Sequence, residues 1–273
     1  MKLKFFSIIA FSVFLSFRLI ATELQPWSGT QYDLDVRAAS LLQQFQRLDA
    51  ARGTVKRPEV DGFYYLSAHF VAKENVTAEV ELSALDSRHR LFGLDALRLT
   101  GRYFWLNDVV GDSISLVTGL TVSKIFEAAR ANIATFDHGG IACEGHAAIG
   151  KELSCEQFWT SRAWGVFAVG IADAGWPWLR ASLVWERNWW ELHQLKIFAE
   201  GIRGFGNRRL HLHPSFQGYG AIHFQAIDVG MRYSFRMENN TLLSISYAYR
   251  VFGSNCPLNA NFLKLEVCYP WSL

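Results

Sequence analysis

The chain has 273 residues, half of them apolar, 15% aromatic and only 19% charged, with a formal net charge of +2. This is too apolar for a disordered chain, which needs low hydrophobicity and high net charge, and too evenly charged for a basic nucleic-acid binder. The length suits one or two domains with a substantial core.

The chain starts Met1-Lys2-Leu3-Lys4, continues with the apolar run Phe5 to Phe17, and reaches small residues at Ala21 and Thr22. A positive start, a short apolar stretch and a small residue at its end form the pattern of a secretory signal peptide, cut near Ala21. Residues 1–21 are read as this signal and 22–273 as one mature domain. The alternative is an uncleaved anchor helix, but Arg18 limits the apolar run to about 13 residues, too short to span comfortably. Beyond it no apolar stretch reaches the length of about 18 residues that marks a spanning helix; the best candidate, Ala163 to Ala172, stops at Asp173. Cys143, Cys155, Cys256 and Cys268 lie too far apart for a CxxC metal or redox site, and both disulfides and free thiols fit an exported chain.

The mature region reads as successive strands at 31–42, 62–72, 77–86, 94–106, 112–126, 141–152, 161–172, 177–188, 191–204, 220–236, 241–252 and 261–271, an antiparallel all-β chain of about twelve strands. Leu97, Leu99, Tyr103 and Trp105 alternate with Arg98, Thr100, Arg102 and Phe104; Leu179, Ala181, Leu183 and Trp185 with Arg180, Ser182, Val184 and Glu186. The clearest period lies in the last third. Ile227, Val229, Met231, Tyr233 and Phe235 alternate with Asp228, Gly230, Arg232 and Ser234; Leu263, Leu265, Val267, Tyr269 and Trp271 alternate with Lys264, Glu266 and Cys268. Side chains along a strand point to opposite faces, so each segment has one oily and one polar side. Residues 34–48 also fit a helical stripe, and 141–152 alternates poorly, which leaves ten strands as the lower count.

Long links are predicted at 43–61, 127–140, 205–219 and 253–260, with short ones between, notably after the second, fourth, eighth and tenth strands. Long links on one side and tight turns on the other are the asymmetry of a membrane barrel; the short link at Asp173 to Trp176 breaks it. Period alone does not say which face meets water, since a soluble β-protein has the same alternation. Segment lengths of about ten residues or more, aromatics at segment ends and the signal peptide favour a barrel in lipid, where only a closed sheet satisfies its backbone. The rim aromatics are Trp105, Trp176, Trp178, Trp189, Trp190 and Trp271.

On these features the chain resembles bacterial outer-membrane β-barrel proteins. In such proteins the last strand alternates and ends in an aromatic, as Leu263-Lys-Leu-Glu-Val-Cys-Tyr269 and Trp271 do; the added Ser272-Leu273 departs from that pattern. The stretch Leu94-Asp-Ala-Leu-Arg-Leu-Thr-Gly-Arg-Tyr103, with Gly111-Asp-Ser-Ile-Ser-Leu116, resembles chlamydial-type barrels. The resemblance implies an up-and-down transmembrane barrel, integral in the outer membrane of a Gram-negative-type bacterium, with lipid, barrel-insertion machinery and small solutes as partners. Neither nucleic acid nor a cofactor is expected.

Turned outward, the oily face leaves a lumen with eight acids (Asp33, Asp35, Glu79, Glu81, Glu186, Glu200, Asp228, Glu266) and eight bases (Arg37, Arg98, Arg102, Arg180, Lys196, Arg232, Arg250, Lys264). Two readings compete: a narrow polar pore that passes small solutes, or a closed structural or surface-binding barrel whose charges satisfy one another. The expected pore-lining set is Arg98, Arg102, Arg180, Glu186, Lys196, Glu200, Asp228, Arg232, Arg250, Lys264 and Glu266. An outer-membrane lipid hydrolase using His213 and Ser215 is a third reading, weakened by Pro214 between them and by the lack of a third orienting residue. His211, His213 and His223 are a chance-level metal set, and Gly201-Ile-Arg-Gly204-Phe-Gly206 lacks the following helix a phosphate loop needs.

Overall fold

The computed structural model describes residues 24–88, 90–155, 158–212 and 216–272. The signal peptide read at 1–21 lies outside the described residues, as do His213 and Ser215. The strands are β1 (Asp33–Ala50), β2 (Gly53–Lys73), β3 (Val76–Ser87), β4 (Arg90–Leu106), β5 (Ser115–Ile125), β6 (Ile141–Cys155), β7 (Phe158–Ala172), β8 (Trp178–Trp189), β9 (His193–Phe205), β10 (His223–Arg236), β11 (Leu242–Ser254), a two-residue β12 (Pro257–Leu258) and β13 (Asn261–Ser272). Each long strand pairs antiparallel with the next, and β1 pairs with both β2 and β13, so twelve long strands close into a ring. Closure removes the sheet edge that hydrocarbon would otherwise leave unpaired.

The alternation decides which way each strand faces. Leu99, Leu120, Leu183, Met231, Tyr247 and Val267 are exposed on the outer surface, whereas Arg102, Glu186, Lys196, Arg250, Lys264 and Glu266 are buried inside. A protein folded in water would reverse this arrangement. So broad an apolar exterior is stable only against acyl chains.

An even number of long strands brings both ends of the barrel to one rim, here called the terminal rim. The opposite, loop rim carries the links 126–140 and 206–222, each much longer than any turn at the terminal rim. The expected link at 43–61 does not exist. β1 runs to Ala50 and β2 starts at Gly53, forming a long hairpin closed by Ala51 and Arg52, with Gly53 at φ 99° where a side chain would be strained. A bulge between Phe45 and Arg47 breaks the period, and charged Arg47, Asp49, Lys56 and Arg57 imitate a loop. The helical alternative for 34–48 gives way to strand, because Leu41, Gln43 and Phe45 all turn inward against β2.

Candidate functional site

The lumen is built from register. Inward side chains on adjacent strands form rows, and one row reads Glu152–Arg162–Glu186–Lys196–Arg232–Ser246–Lys264 across β6, β7, β8, β9, β10, β11 and β13. Charges of opposite sign alternate along its first half, the arrangement that lets cross-strand neighbours attract. Arg162 lies 2.6 Å from Glu152, Arg232 lies 3.6 Å from Glu266, and Lys264 is paired with Glu266. The next row toward the loop rim is apolar: Gly150–Trp164–Val184–Phe198–Gly230–Ala248–Phe262. Lys196 sits 5.0 Å from the centre of the Trp164 ring, joining the two rows.

Above the apolar row lies a chamber of about 220 Å³. Glu200 and Asp228 are direct cross-strand neighbours on its wall. Arg250, 2% exposed at its side chain, holds Asp228 through two hydrogen bonds of 2.7 and 2.8 Å. Arg180 is paired with Glu144, and Arg98 reaches Glu81 at 2.5 Å and Asp95 at 3.9 Å. Arg102 lies 3.6 Å from Glu79, nearer the terminal rim. All eleven residues read as lining the lumen thus lie on the inner wall. The period missed further inward charges: Glu59 and Asp61, hidden in the supposed 43–61 link; Asp95, at the bulge facing Ser83 and Ala84; and Glu144, Glu152 and Arg162. Extending the Phe63–Tyr65 phase back by two and four residues would have found the first two.

The six tryptophans divide. Trp105, Trp189, Trp190 and Trp271 are exposed at the terminal rim, and Trp176 is exposed at the loop rim. Trp178 does not belong to the girdle. It is 6% exposed and points inward, stacked on His138 at 4.0 Å with its indole N–H donating to Glu144. Its phase with Arg180 carries that information in the sequence. Gly170 and Gly204 face Trp178 across the register; a Cβ on Gly170 would fall 2.0 Å from the indole, so glycine makes room for the ring.

Both ends of the lumen are occupied. At the loop rim, link 126–140 folds inward as a cap. Asn132 donates to Asp61, Phe136 stacks on Phe224 at 4.9 Å, and Arg250 lies over the Phe136 ring. Link 206–222 locks it: the Tyr219 hydroxyl donates to the Ile133 carbonyl and the Tyr219 N–H to the Asp137 carbonyl. Burial raises the Tyr219 phenol well above its ordinary value. Burial also lowers His138 to about 3, against opposing effects of Glu144 and the Phe136 backbone, so the imidazole is neutral.

At the terminal rim, residues 24–32 enter the lumen as a strap. Trp27 packs edge-on to Trp164, lies beneath the Arg162 guanidinium and donates its indole N–H to Asp108 at 2.9 Å. Leu24 reaches the chamber. Asp108 also accepts from Ser115 and from the Glu152 backbone and lies 3.6 Å from Lys151. Burial raises its pKa, but these donors and the lysine outweigh it and hold the carboxyl below its usual range. Among the described residues no group of three or more His, Cys, Asp or Glu side chains is placed to hold a metal.

No family model matches the chain, nor does any curated protein. Among solved structures it is similar to the COG4313 outer membrane channel from Pseudomonas putida F1, with TM-score 0.62 and 11% identity over 92% of this chain and 100% of that one. It is also similar to the NanC porin (TM-score 0.56, 10% identity, 86% of this chain and 98% of that one) and to the KdgM porin (TM-score 0.52, 7% identity, 88% and 99%). The shared fold is that of bacterial outer-membrane β-barrels. At these identities the likeness is one of architecture.

Proposed function

We propose that the protein is a narrow, passive channel for small solutes, integral in the outer membrane of a Gram-negative-type bacterium. The observation that carries this reading is the inverted barrel: a closed ring of twelve long strands, apolar outside, around a charged inner wall and a chamber of about 220 Å³. The names of its structural neighbours, a channel and two porins, support it. A twelve-strand ring lies between small barrels filled by side chains and the 16–18-strand porins with aqueous channels. The eleven wall residues from Arg98 to Glu266 are the proposed pore lining. The mature domain starts after a signal peptide cut near Ala21, and barrel-insertion machinery handles the last strand. The narrower likeness to chlamydial-type barrels belongs to this proposal and rests on Leu94 to Tyr103 and Gly111 to Leu116.

Single-channel recording in planar bilayers tests the reading. Discrete conductance steps are expected, and their absence at any salt concentration would end it. A second reading, a closed structural or surface-binding barrel, is favoured by one specific observation: the cap and the strap fill opposite ends of the lumen. The two part on removal of the strap, which enlarges the steps of a channel and leaves a closed barrel silent. Lipid hydrolysis through His213 and Ser215 has no further support.

A further inference from the structure

We propose that the chamber binds a small protonated primary amine that also carries a hydroxyl or carbonyl oxygen, with Glu200 and His138 Nε2 accepting its N–H groups and Gln43 Nε2 donating to its oxygen. All three side chains line the same chamber, beneath the cap and above the apolar row. The inference concerns binding within the barrel and stands whether or not the chamber conducts.

The three arginines on the chamber wall are engaged: Arg98 by Glu81, Arg180 by Glu144 and Arg250 by Asp228. Each guanidinium charge is thus answered by a carboxylate, although Arg180 Nε keeps no hydrogen-bond partner. Glu200 makes no hydrogen bond or ion pair among the described residues: Arg180, which is paired with Glu144, and Lys196 and Lys264 act on it only at a distance, and its register neighbour Asp228 adds a second negative charge beside it. Glu200 therefore has no cation in contact with it. A carboxylate in a partly dehydrated chamber needs a compensating charge or donor.

Two buried groups then set the shape of the cation. His138 is 6% exposed; one ring nitrogen donates to the Phe136 backbone carbonyl, and Nε2 has no partner. The bare nitrogen of a neutral imidazole is an acceptor, so it calls for an N–H or O–H donor. Gln43 is 1% exposed and its Nε2 has no partner either, so it calls for an acceptor oxygen. A primary ammonium with a nearby oxygen satisfies all three. A quaternary ammonium has charge but no N–H, so it gives Glu200 no hydrogen bond, and a hydroxyl on it is the one donor left for His138. The volume is adequate, since a water occupies about 30 Å³ of the liquid.

Titration calorimetry on the full-length protein in detergent micelles tests this with ethanolammonium chloride and choline chloride as probes. Saturable binding of ethanolammonium, at least about tenfold tighter than choline, is expected, because a buried acceptor left unpaired costs roughly that much affinity. Glu200→Gln and His138→Phe should each weaken ethanolammonium binding about tenfold or more. The phenylalanine keeps the stack on Trp178, and Glu200→Gln keeps the shape of the wall. The heat-dependent gel mobility of a folded barrel confirms that each variant has assembled. Equal affinity for the two probes, no saturable heat with ethanolammonium, or unchanged binding in a folded Glu200→Gln protein would each overturn the proposal. Silence in planar bilayers would remove the channel and leave this binding untouched.

Discussion

The two halves of the lumen use similar residues to opposite ends. Near the terminal rim, Glu152, Arg162, Glu186 and Lys196 alternate in sign across the register, Arg232 beside Lys196 is answered by Glu266, and the strap packs against Arg162. Near the loop rim an acid meets an acid: Glu200 faces Asp228, and Arg250 is the cation in contact with that pair. The first half is an ionic scaffold with redundant partners. The second depends on single residues, and that dependence leaves room for a ligand. Charge count alone, even in the set read from the strand period, conceals the difference.

Arg250→Ala should have the largest effect. It strands a half-buried Asp228 beside Glu200 and strips a cation from the Phe136 and Phe262 rings. A loss of about 3–5 kcal/mol is expected, read from the urea midpoint in detergent micelles. Trp27→Ala comes next. Removing a packed indole should cost about 3 kcal/mol, and freeing the strap should raise single-channel conductance severalfold if the channel reading holds. Arg162→Ala, in the redundant half, should cost only about 2 kcal/mol in the same urea assay; a loss equal to that of Arg250→Ala would erase the distinction between halves.

The smallest effect near neutrality concerns acid. His138 is held at about 3 when folded, below its ordinary 6.5, so the unfolded chain binds more protons between those values. The contribution of His138 is complete above pH 6.5 and declines as pH falls toward 3. Comparing urea midpoints of wild type and His138→Phe at pH 8 and pH 5 should give a smaller acid-induced drop in the variant.

Much of this was legible in the sequence, for reasons that also explain what was not. Strands such as 223–236 and 261–272 bury one face in protein and lay the other on lipid, so a strict period of two is imposed on their residues, and the boundaries read from Val229 to Phe235 and Leu263 to Trp271 follow it closely. The first hairpin extends past that constraint. Beyond Phe45 the chain has a bulge and charged outward residues, so the period lapses while the hydrogen-bonded ladder continues. The lumen wall was legible wherever phase was legible. The chamber was not, because it depends on links 126–140 and 206–222 and on the strap, whose inward folding follows from contacts far apart in the chain, such as Tyr219 with Ile133 and Trp27 with Asp108. Trp178 lies between these cases: its phase was readable, but an end-of-strand tryptophan suggests a rim, and Gly170 opposite it reveals the space it fills.

The long β1–β2 hairpin has a practical consequence. Its turn at Ala51 and Arg52 lies on the rim away from both chain ends, and Arg52 and Lys56 are solvent-exposed there. Such a basic tip is a one-sided tag written into the polypeptide. Trypsin added to intact cells should nick it if that rim looks outward, whereas the same sites in a barrel inserted the other way would be shielded until the envelope is breached.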